Sequence, residues 1–256
     1  MTAPAGPAWL DRPVCTVVVS LEPGAARPLL LVAVRDELLA RPWLPPGPHW
    51  PAYPGLRGGR DLRSGGTWLA VDPPRRRVAC VLNGRGRTPD GPLRTRGELP
   101  LRAAAGAPPP AGAFAPFHLL TADPAAATLT TWDGVRRHTV AVPPGLTVIT
   151  NDGLDPGHPR AAYLAPLLAR ADRPDPAPGV PPAAAWAPWL SIVADGAHAP
   201  DDPAALIRRH TLPDGTAYGS GSLTLLAAGP TGLTWSFAAI DDPADPLAAL
   251  HDVPTG

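Results

Sequence analysis

Cys15 opens the apolar run Thr16-Val17-Val18-Val19, and Arg35-Asp36-Glu37 follows about twenty residues later. A thiol becomes a nucleophile when a nearby cation, a helix N-terminus or an adjacent base holds it as thiolate. Arg35 is the obvious cation. If Cys15 starts one strand and Arg35-Asp36 ends its hairpin neighbour, the turn between them brings the two together. An isolated cysteine in an apolar run otherwise packs as a small hydrophobe, and Cys80, inside Val78 to Leu82, reads that way. Taken alone, Arg35-Asp36-Glu37 also reads as a solvated strand end.

Other chemistries find less support. The seven histidines show no pair at metal-ligand spacing and none lies near a cysteine in sequence, so no metal is expected. Gly219-Ser220-Gly221-Ser222 is not a strand-turn-helix nucleophile elbow, because Leu223 onward reads as strand. Gly58-Gly59 and Gly65-Gly66 match no phosphate loop and read as turns, and no cofactor motif is present. Asn83-Gly84 and Asn151-Asp152-Gly153 are ordinary turn sequences by composition.

The elements that must position Cys15 and Arg35 are short strands. Cys15 to Leu21 and Leu29 to Val34 bracket Glu22 to Pro28 as a hairpin or near-hairpin, and both look buried on two faces. Strands are expected at Gly65 to Val71 and Arg76 to Leu82, with a helix over Leu101 to Ala105. Four runs then read as a meander: Phe117 to Thr121, Thr128 to Trp132, His138 to Val142 and Leu146 to Thr150. Helical spacing predicts Pro159 to Arg170, an acidic cap predicts a second helix over Asp202 to His210, and Trp189 to Val193 is ambiguous. Ser222 to Ala227 and Leu233 to Ala239 close the chain as strands. The pattern implies an α+β layered domain of two mostly antiparallel sheets between helices. We expect one domain over 14–240, a disordered extension over 1–13 and a tail over 241–256.

Composition bounds the function. The 22 basic residues are all arginine and balance 22 acidic ones, giving zero net charge. Residues 57–102 hold eleven Arg against four acidic groups, whereas 151–256 hold five against twelve. This asymmetry marks either an anion-attracting face or a solvated surface. No recognition motif accompanies the basic stretch, so a nucleic-acid partner is not expected. Two cysteines make no disulfide framework, which fits a reducing cytoplasm. The apolar runs at 16–21 and 29–34 are far shorter than the roughly 20 residues that span a bilayer.

Several of these stretches occur in an order that resembles the NRDE family, also called the transport and Golgi organisation 2 family. They are the early Cys, Val34-Arg35-Asp36-Glu37 with Arg41-Pro42, Gly65-Gly66-Thr67-Trp68-Leu69, Asn83, Arg96-Gly97-Glu98-Leu99, Leu119-Leu120-Thr121-Ala122-Asp123 and Thr150-Asn151. The resemblance runs from Val14 to about Ala239. It implies the N-terminal nucleophile hydrolase fold, a four-layer αββα sandwich, and attack by Cys15 on a C–N bond of a small molecule. On that likeness Arg35 steadies the thiolate, Asp36 orients the α-amine, and Asn83 and Asn151 bind the oxyanion. The alternative it implies is a binding or trafficking protein that holds a haem or lipid-like small molecule in the same cleft, although no Cys-Pro haem motif or His-rich face is present. Members typically start Met-Cys, so Val14 is read as the true start, with residues 1–13 spurious; autocatalytic removal of a propeptide is the alternative. Two departures stand out. Val34 replaces the Asn that names the motif, and the late Thr-Arg-Ser-Ser pattern appears as Ser220-Gly221-Ser222-Leu223, without its arginine.

Overall fold

Strand β1 (Thr16–Leu21) is buried along its whole length, which requires cover on both faces. Alternation of side chains supplies the reason. Val17 and Val19 enter one apolar cluster while Val18 enters another. Its hairpin partner β2 (Leu29–Leu38) pairs antiparallel from Thr16↔Val34 to Leu21↔Leu29. Fully burying each such Val or Leu contributes about 1.5–3 kcal/mol, so this hairpin anchors the molecule. The computed structural model describes residues 15–177, 179–194, 198–199, 201–230 and 232–255. The expectations for residues 1–13 and for a start at Val14 lie outside them.

The chain continues through β3 (Trp43–Gly47), β4 (Arg57–Asp61), β5 (Leu69–Asp72), β6 (Arg77–Asn83) and helix α1 (Glu98–Ala104). Then come β7 (Phe117–Ala122), β8 (Ala127–Trp132), β9 (Arg137–Ala141) and β10 (Gly145–Ile149). Helices α2 (Pro159–Arg170), α3 (Pro182–Ala185) and α4 (Ala187–Val193) precede β11 (Arg209–Thr211), β12 (Ala217–Gly229), β13 (Gly232–Ala239) and β14 (His251–Asp252). One sheet runs β10-β1-β2-β12-β13-β14, with β11 also on β12; the other runs β3 to β9 in chain order. The pairings are antiparallel.

Three apolar layers hold the sheets and helices together. Val17 and Leu31 of the first sheet meet Leu69, Val78, Leu120 and Leu129 of the second between the sheets. On the outer face of the first sheet, Val18, Val32 and Leu225 pack on Leu164 and Leu168 of α2 and Trp189 of α4. On the outer face of the second, Ala70 and Ala79 pack on Leu101 and Ala104 of α1. The order helix, sheet, sheet, helix is the expected αββα sandwich.

Four departures from the expected elements have physical causes. Residues 202–210 form turns followed by β11, not a helix, because Arg209↔Gly219 and Thr211↔Ala217 pairing draws the segment onto β12. Leu146 to Ile149 does not complete the meander: after Pro143-Pro144 the chain crosses to the other sheet and pairs with β1. β3 forms through Pro45-Pro46, confined to the sheet edge that proline tolerates, and β4 runs through Gly58-Gly59, which read as a turn. The segment expected as a tail contributes β14 beside β13 and places Val253 in the intersheet core.

Candidate active site

The C-terminal end of β2 outruns β1 and makes one wall of a cleft. Val34 is opposite Thr16 at the first residue of β1, so Arg35 to Leu38 continue alone on that side, paired on the other with β12. The cleft, about 360 Å³, is lined by Cys15, Arg35, Asp36, Glu37, Arg41, Asp61, Trp68, Asn83 and Arg96, among others. The antiparallel register, continued one position, sets Cys15 level with Arg35. Both share the face of Val17 and Ala33, which look into the intersheet core.

The half-buried Cys15 thiol donates to the Asp36 backbone carbonyl at 3.5 Å. Burial, reinforced by the negative charge of Asp36, pushes the thiol up to about 12, against the opposing pull of the Asp36 backbone and Arg35. At neutral pH the thiol is therefore protonated. Cys80 is buried and its thiol is also pushed up by burial, in keeping with a packing role.

The guanidinium of Arg35 lies 4.5 Å from the Trp68 ring centre, within cation–π range. It is 3.5 Å from Glu37 and 3.6 Å from Asp61. Asp61 also takes two bonds from Arg41, at 2.5 and 3.2 Å, and accepts from the backbone N–H groups of Arg63 and Ser64 at 3.0 and 2.8 Å. Burial pushes the Asp61 carboxyl up, but the bonds from Arg41 and Ser64 win and hold it below its ordinary value. Trp68 reaches Arg35 because position 59 is glycine: a Cβ there would lie 2.2 Å from the indole.

Asp36 shares Arg35's backbone but turns to the opposite face. Its Oδ1 accepts from the Ser220 hydroxyl at 2.6 Å, and its Oδ2 is 3.6 Å from Arg160. Arg160 in turn donates to the Thr16 hydroxyl at 2.5 Å. The side chains of both Asp36 and Arg160 are 0% exposed. Burial pushes the Asp36 carboxyl up, with Arg160, Ser220 and Arg208 opposing it. Ser220 and Ser222 flank a bulge in the β2–β12 ladder at Gly221, where a Cβ would lie 3.8 Å from Arg35. The position that lacks the late arginine thus adjoins Arg35.

Asn83 ends β6 with an exposed side chain on the cleft. Asn151 is buried in the turn closed by the Thr150↔Gly153 bridge and is not among the residues lining the cleft. The β1–β10 ladder, continued two positions beyond Val17↔Ile149, sets Asn151 level with Cys15. Its backbone carbonyl is 3.3 Å from His118 Nε2.

The structure adds Asp61, Arg96, Arg160 and Ser220 to the residues around this end of the sandwich. Arg160 had a readable signal. It lies in the first turn of α2, where a cation opposes the helix dipole, so its position answers to something other than the helix. Asp61 had none, since it lies at the end of a glycine-rich strand.

Among the described residues no group of three or more His, Cys, Asp or Glu could hold a metal ion, and no helix is long and apolar enough to cross a membrane. A comparison with curated proteins finds no match. Among solved structures, the chain is similar to a Caenorhabditis elegans N-acylethanolamine-hydrolyzing acid amidase ortholog, at 10% identity over 94% of this chain and 100% of that one. The TM-score is 0.47, too loose a superposition to carry an argument. The sequence profile described as transport and Golgi organisation 2 matches residues 14–173, more than half of the 256, and the chain belongs to that family.

Proposed function

We propose that the chain is a cysteine amidohydrolase of the N-terminal nucleophile type, active on a C–N bond of a small molecule once Cys15 is the first residue. The observation that carries this reading is the shared cleft of Cys15, Arg35 and Asn83. A free α-amine, with an ordinary pKa of about 7.7–8.0, is the base the protonated thiol lacks. It takes the thiol proton as sulfur attacks the carbonyl carbon. The C–N bond then breaks, and the ammonium returns the proton to the departing amine. Water, deprotonated by the same amine, hydrolyses the thioester to a carboxylic acid and regenerates the thiol.

In this scheme Arg35 steadies the thiolate and Asp36 holds the α-amine in place. Asn83 and Asn151 donate to the oxyanion, each such donor being worth about 3–4 kcal/mol in other enzymes. The test compares a chain whose N-terminus is verified by mass spectrometry to be Cys15 with the longer chain. Stoichiometric acylation of Cys15 by an activated amide or ester is expected in the first, with turnover abolished by Cys15→Ala. Turnover that survives Cys15→Ala sinks the reading.

One observation favours a second reading, a non-catalytic carrier of a haem or lipid-like small molecule. It is Gly221, which adjoins Arg35 at the position where the resembled pattern has its late arginine. That reading predicts ligand binding indifferent to Cys15→Ala and sensitive to Arg35→Ala.

A further inference from the structure

The charges of the cleft pair off, with one exception. Arg35 and Arg41 face Glu37 and Asp61 at 2.5–3.7 Å. Arg94 is 2.6 Å from Glu98. Asp36 is answered on the other face by Arg160. Arg96 has no carboxylate at ion-pair distance among the described residues, and its one hydrogen bond there runs from Nη1 to the Pro116 carbonyl at 2.8 Å. Arg96 lines the same cleft as Cys15; burial pushes its guanidinium down, opposed by Cys15 and Glu37.

The backbone behind Arg96 is fixed. The Gly97 carbonyl accepts from Thr67 N–H at 2.9 Å. A Cβ on Gly66 would lie 2.4 Å from the Gly97 carbonyl carbon, so the loop presses directly on the β4–β5 connection. A half-buried cation on a rigid backbone, beside a nucleophile and short of a counter-charge, is arranged to receive an anion.

We infer that Arg96 binds the anionic end of the substrate, an amide that carries one carboxylate beside the scissile C–N bond. The substrate class rests on the hydrolase reading above. A single unmatched guanidinium fits a monoanion by a two-bond fork, whereas Glu37 and Asp61 nearby disfavour a dianionic phosphate.

Two measurements test it. In the unaltered chain, phenylglyoxal modification of Arg96, followed by peptide mass spectrometry, should slow about threefold or more with N-acetylglycine. It should not slow with N-acetylglycinamide at equal concentration. Equal protection by both, or by neither, overturns the anion site, and stronger protection by inorganic phosphate overturns the monoanion. The second measurement is the ratio of Cys15 alkylation rates by iodoacetate and iodoacetamide, reagents that differ chiefly in charge. Arg96→Gln should lower this ratio about tenfold, and Arg87→Gln, which removes an exposed arginine paired with exposed Asp90, should leave it alone. An unchanged ratio in an Arg96→Gln protein of normal melting temperature overturns the proposal but leaves Cys15 as nucleophile. Failure of both reagents at a Cys15 N-terminus overturns the hydrolase reading and the substrate class with it, while protection at Arg96 still decides the anion site.

Discussion

Arg35 and Asp36 are neighbours in sequence, yet they belong to different electrostatic worlds. Arg35 joins an open cluster whose partners Glu37 and Arg41 have side chains 28% and 24% exposed, while Asp36 and Arg160 are both 0% exposed. Strand alternation makes the division, sending one residue toward the cleft and the next toward the helices. In the open cluster water reaches Glu37 and Arg41, so that pair is screened and can exchange partners at little cost, although Arg35 and Asp61 behind them have side chains only 6% and 9% exposed. On the dry face neither charge can lose its partner without standing uncompensated in low dielectric. The same three-residue stretch therefore supplies an adjustable cleft and a fixed scaffold.

The largest expected effect comes from breaking the dry pair. Arg160→Met leaves Asp36 buried without its cation and should cost about 3–5 kcal/mol in a denaturant titration. The double variant Arg160→Met with Asp36→Leu should recover most of that loss. A single-variant cost under about 1 kcal/mol would put the dry pair on a par with exposed pairs and erase the contrast.

The pH dependence of stability probes the same region. Burial, and then the charge of Arg160, hold His158 down to about 4 from an ordinary 6.5. As pH falls below 6.5 the unfolded chain takes up a proton that the folded chain refuses until about 4, so stability declines across that window and levels off beneath it. The loss should be on the order of 3 kcal/mol, and His158→Asn should flatten it. Titration of this histidine by NMR near its ordinary value would contradict the assignment.

How far this was legible in the sequence follows from the same distinction. The β1–β2 hairpin could be read because a fully buried strand must be apolar at every position, and Thr16 to Leu21 and Leu29 to Val34 nearly are. That hairpin sets Cys15 level with Arg35, so the juxtaposition of the thiol and the guanidinium was legible. β4 was not, because Arg57-Gly58-Gly59-Arg60-Asp61 owes its glycines to the close approach of Trp68 and the Leu69 carbonyl, neither of them sequence neighbours. Arg160 reaches Asp36 from 124 positions away. No local pattern encodes such a pairing beyond the misfit of a cation in a helix's first turn. The crossing of β10 to the other sheet decides where Asn151 lies, and a run of alternating turns and strands reads the same whether the last strand stays or leaves.

A smaller effect is expected within the open cluster. Asp61→Asn removes the charge that binds Arg41 and approaches Arg35, yet the amide oxygen can still accept from the Arg63 and Ser64 N–H groups. The cost should be about 1–2 kcal/mol. Because Asp61 is held below its ordinary value, its share of stability is present above an ordinary pKa of 3.8 and is lost as pH falls through the lower folded value. That places its loss at lower pH than the His158 decline, so an acid titration separates the two.

The smallest expected change in stability belongs to Glu37→Gln, and it sharpens the contrast most. Glu37 meets Arg35 and Arg41 at 3.5 and 3.7 Å and accepts from the Leu38 N–H at 3.0 Å. A glutamine keeps the shape and the acceptor, so the melting free energy should move by no more than about 0.5 kcal/mol. The cleft itself changes more. Arg35 and Arg41 are left with Asp61 as their shared counter-charge, and Glu37 no longer pushes the Cys15 thiol up. Alkylation of Cys15 should therefore quicken with both reagents, and more with iodoacetate, because the cleft has gained a positive charge. A variant that loses stability without changing these rates would show the open cluster to be a second scaffold like the dry one; faster alkylation at unchanged stability is what a cleft tuned to receive an anion requires.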